Sequence, residues 1–204
     1  MFIEQPPWIY RVLFPWAIWR IPSKEKSVYL TFDDGPIPEI TSWVLDVLDQ
    51  YQVKATFFCV GDNVRKYPEV YQMVLDRGYA VGNHTHNHLQ GIRFWTKNYI
   101  RNVRIAAEYI TSDLFRPPHG YMRFPQQLWL KSKYRIIMWD VVTRDYSPHM
   151  TPKGVFNVVR QYTRNGSIIV FHDSLKAEKN MKEALPLSIE WFLSEGYQFK
   201  LFEK

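Results

Sequence analysis

From Ser27 onward, short apolar runs alternate with longer amphipathic ones, and this alternation leaves the chain few architectures. The strand-like runs are Ser27–Phe32, Val53–Val60, Tyr79–Gly82, Leu114–Arg116, Arg135–Val141, Ser167–Phe171 and Tyr197–Phe202. Most are apolar on both faces and several are rich in β-branched residues, as strands buried in a parallel sheet must be. Between them the spacing predicts helices over Thr41–Tyr51, Pro68–Arg77, Asn98–Ile110, Val155–Arg164 and Met181–Glu195. Gly78, Gly166 and Gly196 stand where helix C-termini need a residue free to turn left-handed. Repeated β-then-α order implies a parallel sheet. Seven strands in 204 residues are too few for the eightfold barrel, which needs about 250 residues, so the expected fold is an α/β, distorted and incomplete seven-stranded (β/α) barrel. The alternative, an open doubly wound sheet, lacks its usual glycine-rich phosphate loop. The expected division is an N-terminal aromatic cap over 1–22 and a single catalytic domain over 23–204.

The polar residues that interrupt this pattern cluster at the expected C-terminal ends of strands. Asp33-Asp34-Gly35 follows the first, His84-Thr85-His86-Asn87-His88 the third, and Arg116 ends the fourth. Asp140 lies near the end of the fifth and His172 follows the sixth. In a barrel these ends form one face, the face that carries active sites. An Asp-Gly pair after a strand is as often a turn as a site, and a lone strand-end histidine is usually structural. Three histidines within five residues, out of six in the chain, are harder to dismiss. Two imidazoles and one carboxylate make an open hydrolytic metal site, with a second carboxylate beside it to take a proton from water. His84 and His88, four apart, share a face if their backbone is helical.

The rest of the chain bounds the reading. Net charge is +6, but the Lys and Arg residues are scattered and no nucleic-acid motif is present, so a nucleic-acid partner is not expected. An anionic surface or an acidic glycan remains compatible with that charge. Cys59 is the only cysteine, which excludes an intrachain disulfide and fits a reducing compartment. The run from Trp8 to Arg20 has no basic leader and is broken by Arg11 and Pro15, so it is neither a signal peptide nor long enough to span a bilayer. It reads as a cap packed on the domain, with an interfacial anchor as the alternative. A cytoplasmic, membrane-peripheral monomer is the resulting expectation.

In this order, the five clusters resemble the motifs of the polysaccharide deacetylase family, carbohydrate esterase family 4 with its NodB-homology domain. The resemblance runs from Ser27 to about Phe202 and implies a distorted (β/α) barrel that removes N-acetyl groups from an N-acetylated glycan. It implies that Asp33 is the catalytic base and that Asp34, His84 and His88 hold a divalent metal, Zn²⁺ first, with Co²⁺, Ni²⁺, Mn²⁺ or Fe²⁺ as alternatives. By the same resemblance Arg116 orients the base, His172 is the general acid and Asp140 tunes it. His119 and Gly120 fall where a backbone amide stabilises the oxyanion; His119 replaces an aromatic residue, Tyr146 a Trp, and Val170 a Leu of the acetyl pocket. Those departures leave the glycan open. An O-acetyl esterase, a cyclic amide hydrolase and a non-catalytic carbohydrate-binding protein are the competing functions.

Overall fold

A computed structural model describes residues 4–203. Residues 1–3 and 204, the outermost ends of the two expected segments, lie outside the described residues. The fold is the expected distorted, incomplete (β/α) barrel, with nine strands in one sheet instead of seven. In chain order these are β1 (Ala17–Ile18), β2 (Ser27–Asp33), β3 (Thr56–Cys59), β4 (Ala80–Asn83), β5 (Leu114–Phe115), β6 (Arg135–Ile137), β7 (Val141–Val142), β8 (Ser167–His172) and β9 (Gln198–Phe199). Their order across the sheet is β1-β6-β5-β4-β3-β2-β8-β7, with β9 on the foot of β2, and every strand pair is parallel. The helices are α1 (Trp8–Leu13), α2 (Pro38–Gln50), α3 (Gly61–Lys66), α4 (Pro68–Asp76), α5 (Thr96–Ala107), α6 (Phe124–Leu130), α7 (Pro152–Tyr162) and α8 (Glu178–Ser194). All five expected helices are present. α1, α3 and α6 are additions, too short or too polar to show an apolar period.

The period of two along each central strand sorts its side chains between two cores. On β2, Val28, Leu30 and Phe32 join the cluster under α2, α7 and α8, whereas Tyr29 joins the cluster inside the barrel. On β8, Ile169 and Phe171 face the helices, and Ile168 and Val170 face inward. The same parity sends Thr31 and Asp33 inward from β2 and His172 inward from β8. The reactive groups are thus aimed by the pattern that builds the core.

One expected strand is two. Arg135–Val141 reads as a continuous apolar run, but β6 pairs with β5 and β1, and β7 pairs with β8 alone. Between them the chain crosses from one edge to the other: Met138 N–H donates to Ile18 O at 2.8 Å and Asp140 N–H to Ile168 O at 3.0 Å. The N-terminal segment fills the opening left by this crossing. β1 extends the sheet beside β6, Arg20 bridges to Ser167 at the foot of β8, and Ile21 N–H reaches Gly166 O at 2.9 Å. Glu4 O accepts the N–H of Val142, at 2.8 Å. Phe14 and Trp19 are buried in the inner core, with Trp19 edge-on to Trp139 at 6.4 Å, while α1 buries none of its residues. Among the described residues no helix is long and apolar enough to cross a membrane.

Candidate active site

The C-terminal ends of the strands surround a cavity of about 290 Å³, lined among others by Asp33, Asp34, His84, His88, His119, Tyr146, Val170 and His172. Arg116 lies beneath it, wholly buried at the end of β5, where its N–H pairs with Asn83 O at 3.0 Å. Its guanidinium donates to Asp33 Oδ1 at 2.6 Å, Thr31 Oγ1 at 2.8 Å, and the carbonyls of Ile137 and Met138 at 3.3 and 3.1 Å. It also lies over the Phe58 ring at 4.0 Å. Burial lowers the affinity of Arg116 for its proton, and the Asp33 carboxylate opposes that shift without cancelling it. These four hydrogen bonds hold the guanidinium in place, so one Asp33 oxygen is fixed while the other faces His84 Nε2 at 4.0 Å.

Asp34, His84 and His88 each offer one ligand atom, and the three atoms lie within 4.8 Å of one another. Asp34 has a left-handed backbone, φ 85°, and its carbonyl accepts from Asn63 Nδ2 at 2.7 Å. Burial alone would raise its carboxyl pKa; the hydrogen bond from His88 at 3.1 Å and the charges of His172, His88 and His84 outweigh that and hold it far below the usual carboxylate range. His84 is buried, which brings its imidazole down to about 4. It is therefore neutral near pH 7. Its Nδ1 lies 2.8 Å from Arg116 O, which leaves Nε2 as the free lone pair facing the Asp34 carboxylate at 3.8 Å. A neutral imidazole fixed by a carbonyl, a second imidazole and an ionised carboxylate are a donor set that fits a divalent cation.

The two histidines do not meet by sharing a helical face. Residues 84–90 are a loop, with Thr85 and His88 both left-handed at φ 63° and 52°. Two asparagines hold that shape. Asn83 Oδ1 accepts the N–H of Thr85 at 2.8 Å, and Asn102 Oδ1, on α5, accepts those of His86 and Asn87 at 2.9 and 3.0 Å. His86 points away, stacked on Tyr109.

On the opposite wall, His172 Nδ1 lies 2.8 Å from Asp145 Oδ1, and Asp145 Oδ2 accepts the His172 N–H at 2.8 Å. Burial disfavours the imidazolium, but the charge and hydrogen bond of Asp145, with Asp34 and Asp33 behind them, raise its pKa to about 9. The carboxylate expected there was Asp140, and it is elsewhere. Asp140 is fully buried at the foot of β8, bound to Arg164 at 2.7 and 2.8 Å, Ser167 Oγ at 2.8 Å and Arg11 at 2.9 Å. The cause is the split strand. After Asp140 the chain continues upward as β7, and Asp145 lies three residues beyond its end at Val142. The β-branched Val141-Val142-Thr143 after Asp140 was the available sign that the strand had not ended.

The remaining expected residues all reach the cavity or its wall. Tyr146 packs edge-on against His172 and His119 against His88, both at 4.8 Å between ring centroids. Val170 lines the floor. His119 is left-handed, φ 59°, in a tight turn whose Gly120 and Tyr121 N–H groups are taken by Pro117 O and Pro118 O. Among the described residues the His119 N–H donates to no group. Gly120 is required as glycine: at φ 73°, an added Cβ would come within 2.5 Å of the Trp139 ring. Asp173, not among the expected site residues, lies on the helix side of β8. It accepts from Gly35 N–H at 3.0 Å and from Thr41 Oγ1 at 2.6 Å, fixing the turn that carries Asp34.

The family model described as polysaccharide deacetylase matches residues 20–135. The chain belongs to the polysaccharide deacetylase family. It is 31% identical over 198 residues to the peptidoglycan-N-acetylglucosamine deacetylase of Bacillus cereus, covering 90% of each chain. It is 35% identical over 159 residues to a chitooligosaccharide deacetylase of Bradyrhizobium sp., covering 74% of this chain and 72% of the relative. Among solved structures, the Bc1960 peptidoglycan N-acetylglucosamine deacetylase superposes with a TM-score of 0.85 at 28% identity, covering 96% of this chain and 94% of that one. This deacetylase is thus an enzyme of the class that hydrolyses carbon–nitrogen bonds other than peptide bonds.

Proposed function

We propose that this deacetylase removes the acetyl group from N-acetylglucosamine units of a β-linked glycan, the chemistry shared by its peptidoglycan and chitooligosaccharide relatives. The observation that carries the reading is the pairing of an arginine-held carboxylate, Asp33, with an aspartate-held imidazole, His172, across one cavity that also holds the Asp34, His84 and His88 donor set. These three residues would hold one divalent ion, with Zn²⁺ favoured by the nitrogen-rich set. When bound, such an ion supplies a Lewis acid that polarises the acetyl carbonyl and makes water more acidic.

The protein's own groups do the rest. Asp33, its Oδ1 fixed by Arg116, takes the proton of the attacking water on its free oxygen. The His119 N–H, which has no partner among the described residues, donates to the developing oxyanion. His172 enters as imidazolium and gives its Nε2 proton to the leaving sugar nitrogen, while Asp145 stabilises the charged ring beforehand. Acetate and a free amino sugar leave. Val170, smaller than leucine, and Tyr146 shape the acetyl end of the cavity.

The test is acetate release from N-acetylglucosamine oligomers and from peptidoglycan, before and after chelation and after return of Zn²⁺. Release that chelation abolishes and Zn²⁺ restores is the expected result. Release from O-acetylated glycans alone would make the protein an esterase, and glycan binding without acetate release would make it a binding protein.

A further inference from the structure

We infer that α1 together with the exposed edge of α6 and the turn before α5 forms a docking surface for an anionic lipid bilayer. The first observation is α1 itself. It buries no residue, yet it is held firmly: Arg11 is bonded to Asp140, and Glu4 just before it is bonded to Val142. The face it turns outward is Trp8, Ile9, Val12 and Leu13, exposed by 74, 49, 63 and 58%. A helix that packs only the partly buried Tyr10 against the core, and presents four large apolar side chains to water, points to a partner outside the molecule.

The apolar face continues beyond α1. Trp16 meets Phe124 at 5.7 Å, and Phe124 and Leu128 lie one turn apart on the outside of α6. Beside Phe124, Arg123 donates to Ile92 O and lies over the ring of Trp95, the most exposed large apolar residue among the described residues at 75%. Gln90 and Tyr121, neighbours of these residues in sequence, line the catalytic cavity. The surface therefore adjoins part of the cavity wall.

Charge selects the occupant. The three segments that build the surface, 5–24, 89–107 and 114–139, contain none of the chain's 20 Asp and Glu residues. Two of the cations among them stand at ring level: Lys131 Nζ is 3.8 Å from the Trp16 centroid, and Arg123 is 5.1 Å from that of Trp95. Aliphatic side chains below, Trp at the rim and cations beside the rings reproduce the layering of hydrocarbon, interface and anionic headgroup. A glycan platform needs hydrogen-bonding groups between its aromatic faces, and Ile9, Val12 and Leu13 offer none. This inference is independent of the reaction assigned to the cavity.

The test uses the full chain and sedimentation with vesicles of phosphatidylcholine alone or mixed with phosphatidylglycerol. Binding to the phosphatidylglycerol vesicles, weakened by salt, is expected, with Trp fluorescence quenched by brominated acyl chains. The combined W8S, V12S and L13S substitutions should weaken binding by roughly a hundredfold or more, since each buried apolar side chain accounts for about tenfold. F124S with L128S should also weaken it. Acetate release from soluble oligosaccharides and the melting temperature report whether each variant is folded; should the triple variant fail to fold, the α6 variant and the quenching decide. Absence of binding to both vesicles overturns the inference, as does binding that neither set of substitutions alters. Self-association or polymer binding lost in the same variants, without vesicle binding, assigns the surface to another partner and equally overturns it.

Discussion

Asp140 and Asp145 lie five residues apart, at the foot and at the top of one strand path, and both are completely buried. Each is an acid just outside β7 with a cationic partner, yet they belong to different parts of the protein's business. Asp140 faces Arg164, Arg11 and Ser167, and ties the N-terminal segment and the foot of β8 to the crossing between β6 and β7. Asp145 faces one imidazole at the mouth of the cavity. A guanidinium keeps its charge under all ordinary conditions, so a carboxylate facing two of them is a fixed structural tie. An imidazole changes charge near neutrality, so a carboxylate facing it sets a pKa. Position along the strand, not residue type, separates the two roles.

The comparison breaks most visibly at Asp145. Asp145→Asn should lower kcat on the order of a hundredfold or more, because general acid catalysis contributes at least that much and the variant loses the protonated acid at working pH. The sign follows from the raised pKa. His172, at about 9, stays protonated through neutrality, and without the anion its pKa falls. The alkaline limb of the kcat profile should therefore move to lower pH. A limb that stays in place would separate Asp145 from the acid.

Asp140→Asn sharpens the comparison from the other side. It leaves two guanidinium groups facing a neutral amide, and should cost about 2–3 kcal/mol in chemical denaturation, at or below the usual range for broken buried pairs because both arginines are partly exposed. Its pH profile, measured per folded molecule, should keep the original alkaline limb. Smaller again is Arg11→Gln, which removes one partner that is 36% exposed. A loss of about 1 kcal/mol or less is expected, with looser attachment of α1 seen as faster amide exchange at Val142.

A further effect is on stability against pH. A folded pKa raised above the unfolded one contributes stability that is complete below about 6.5 and is lost as pH rises through about 9. Asp145→Asn should remove this decline between neutrality and pH 9, while Asp140→Asn should retain it. Melting temperatures measured across that window read the difference.

Much of this was legible in the chain. Apolar runs announced β2, β3, β4 and β8 because buried strands have no polar face to hide, and residue type with order brought Asp33, Asp34, His84, His88, Arg116 and His172 to one face. What was not legible depended on pairing partners. The stretch from Arg135 through Val142 is almost continuously buried whether it forms one strand or two, so Val141-Val142-Thr143 signals that strand continues past Asp140 but not that β6 and β7 pair at opposite edges of the sheet. The helical spacing of His84 and His88 was coincidental: a left-handed loop held by Asn83 and Asn102 brings them together, and each asparagine alone looks like an ordinary polar residue. β1 is two residues long and is a strand only because β6 leaves an edge to fill.

The central claim is that Asp145, and not Asp140, sets the proton affinity of His172. The most direct measurement is a ¹⁵N NMR titration of the His172 ring in the metal-free protein and in the two Asn variants. The account predicts a midpoint raised toward about 9 in the wild type and in Asp140→Asn, and a clear fall in Asp145→Asn. A wild-type midpoint at or below the ordinary histidine value, or a fall in Asp140→Asn equal to that in Asp145→Asn, would contradict it.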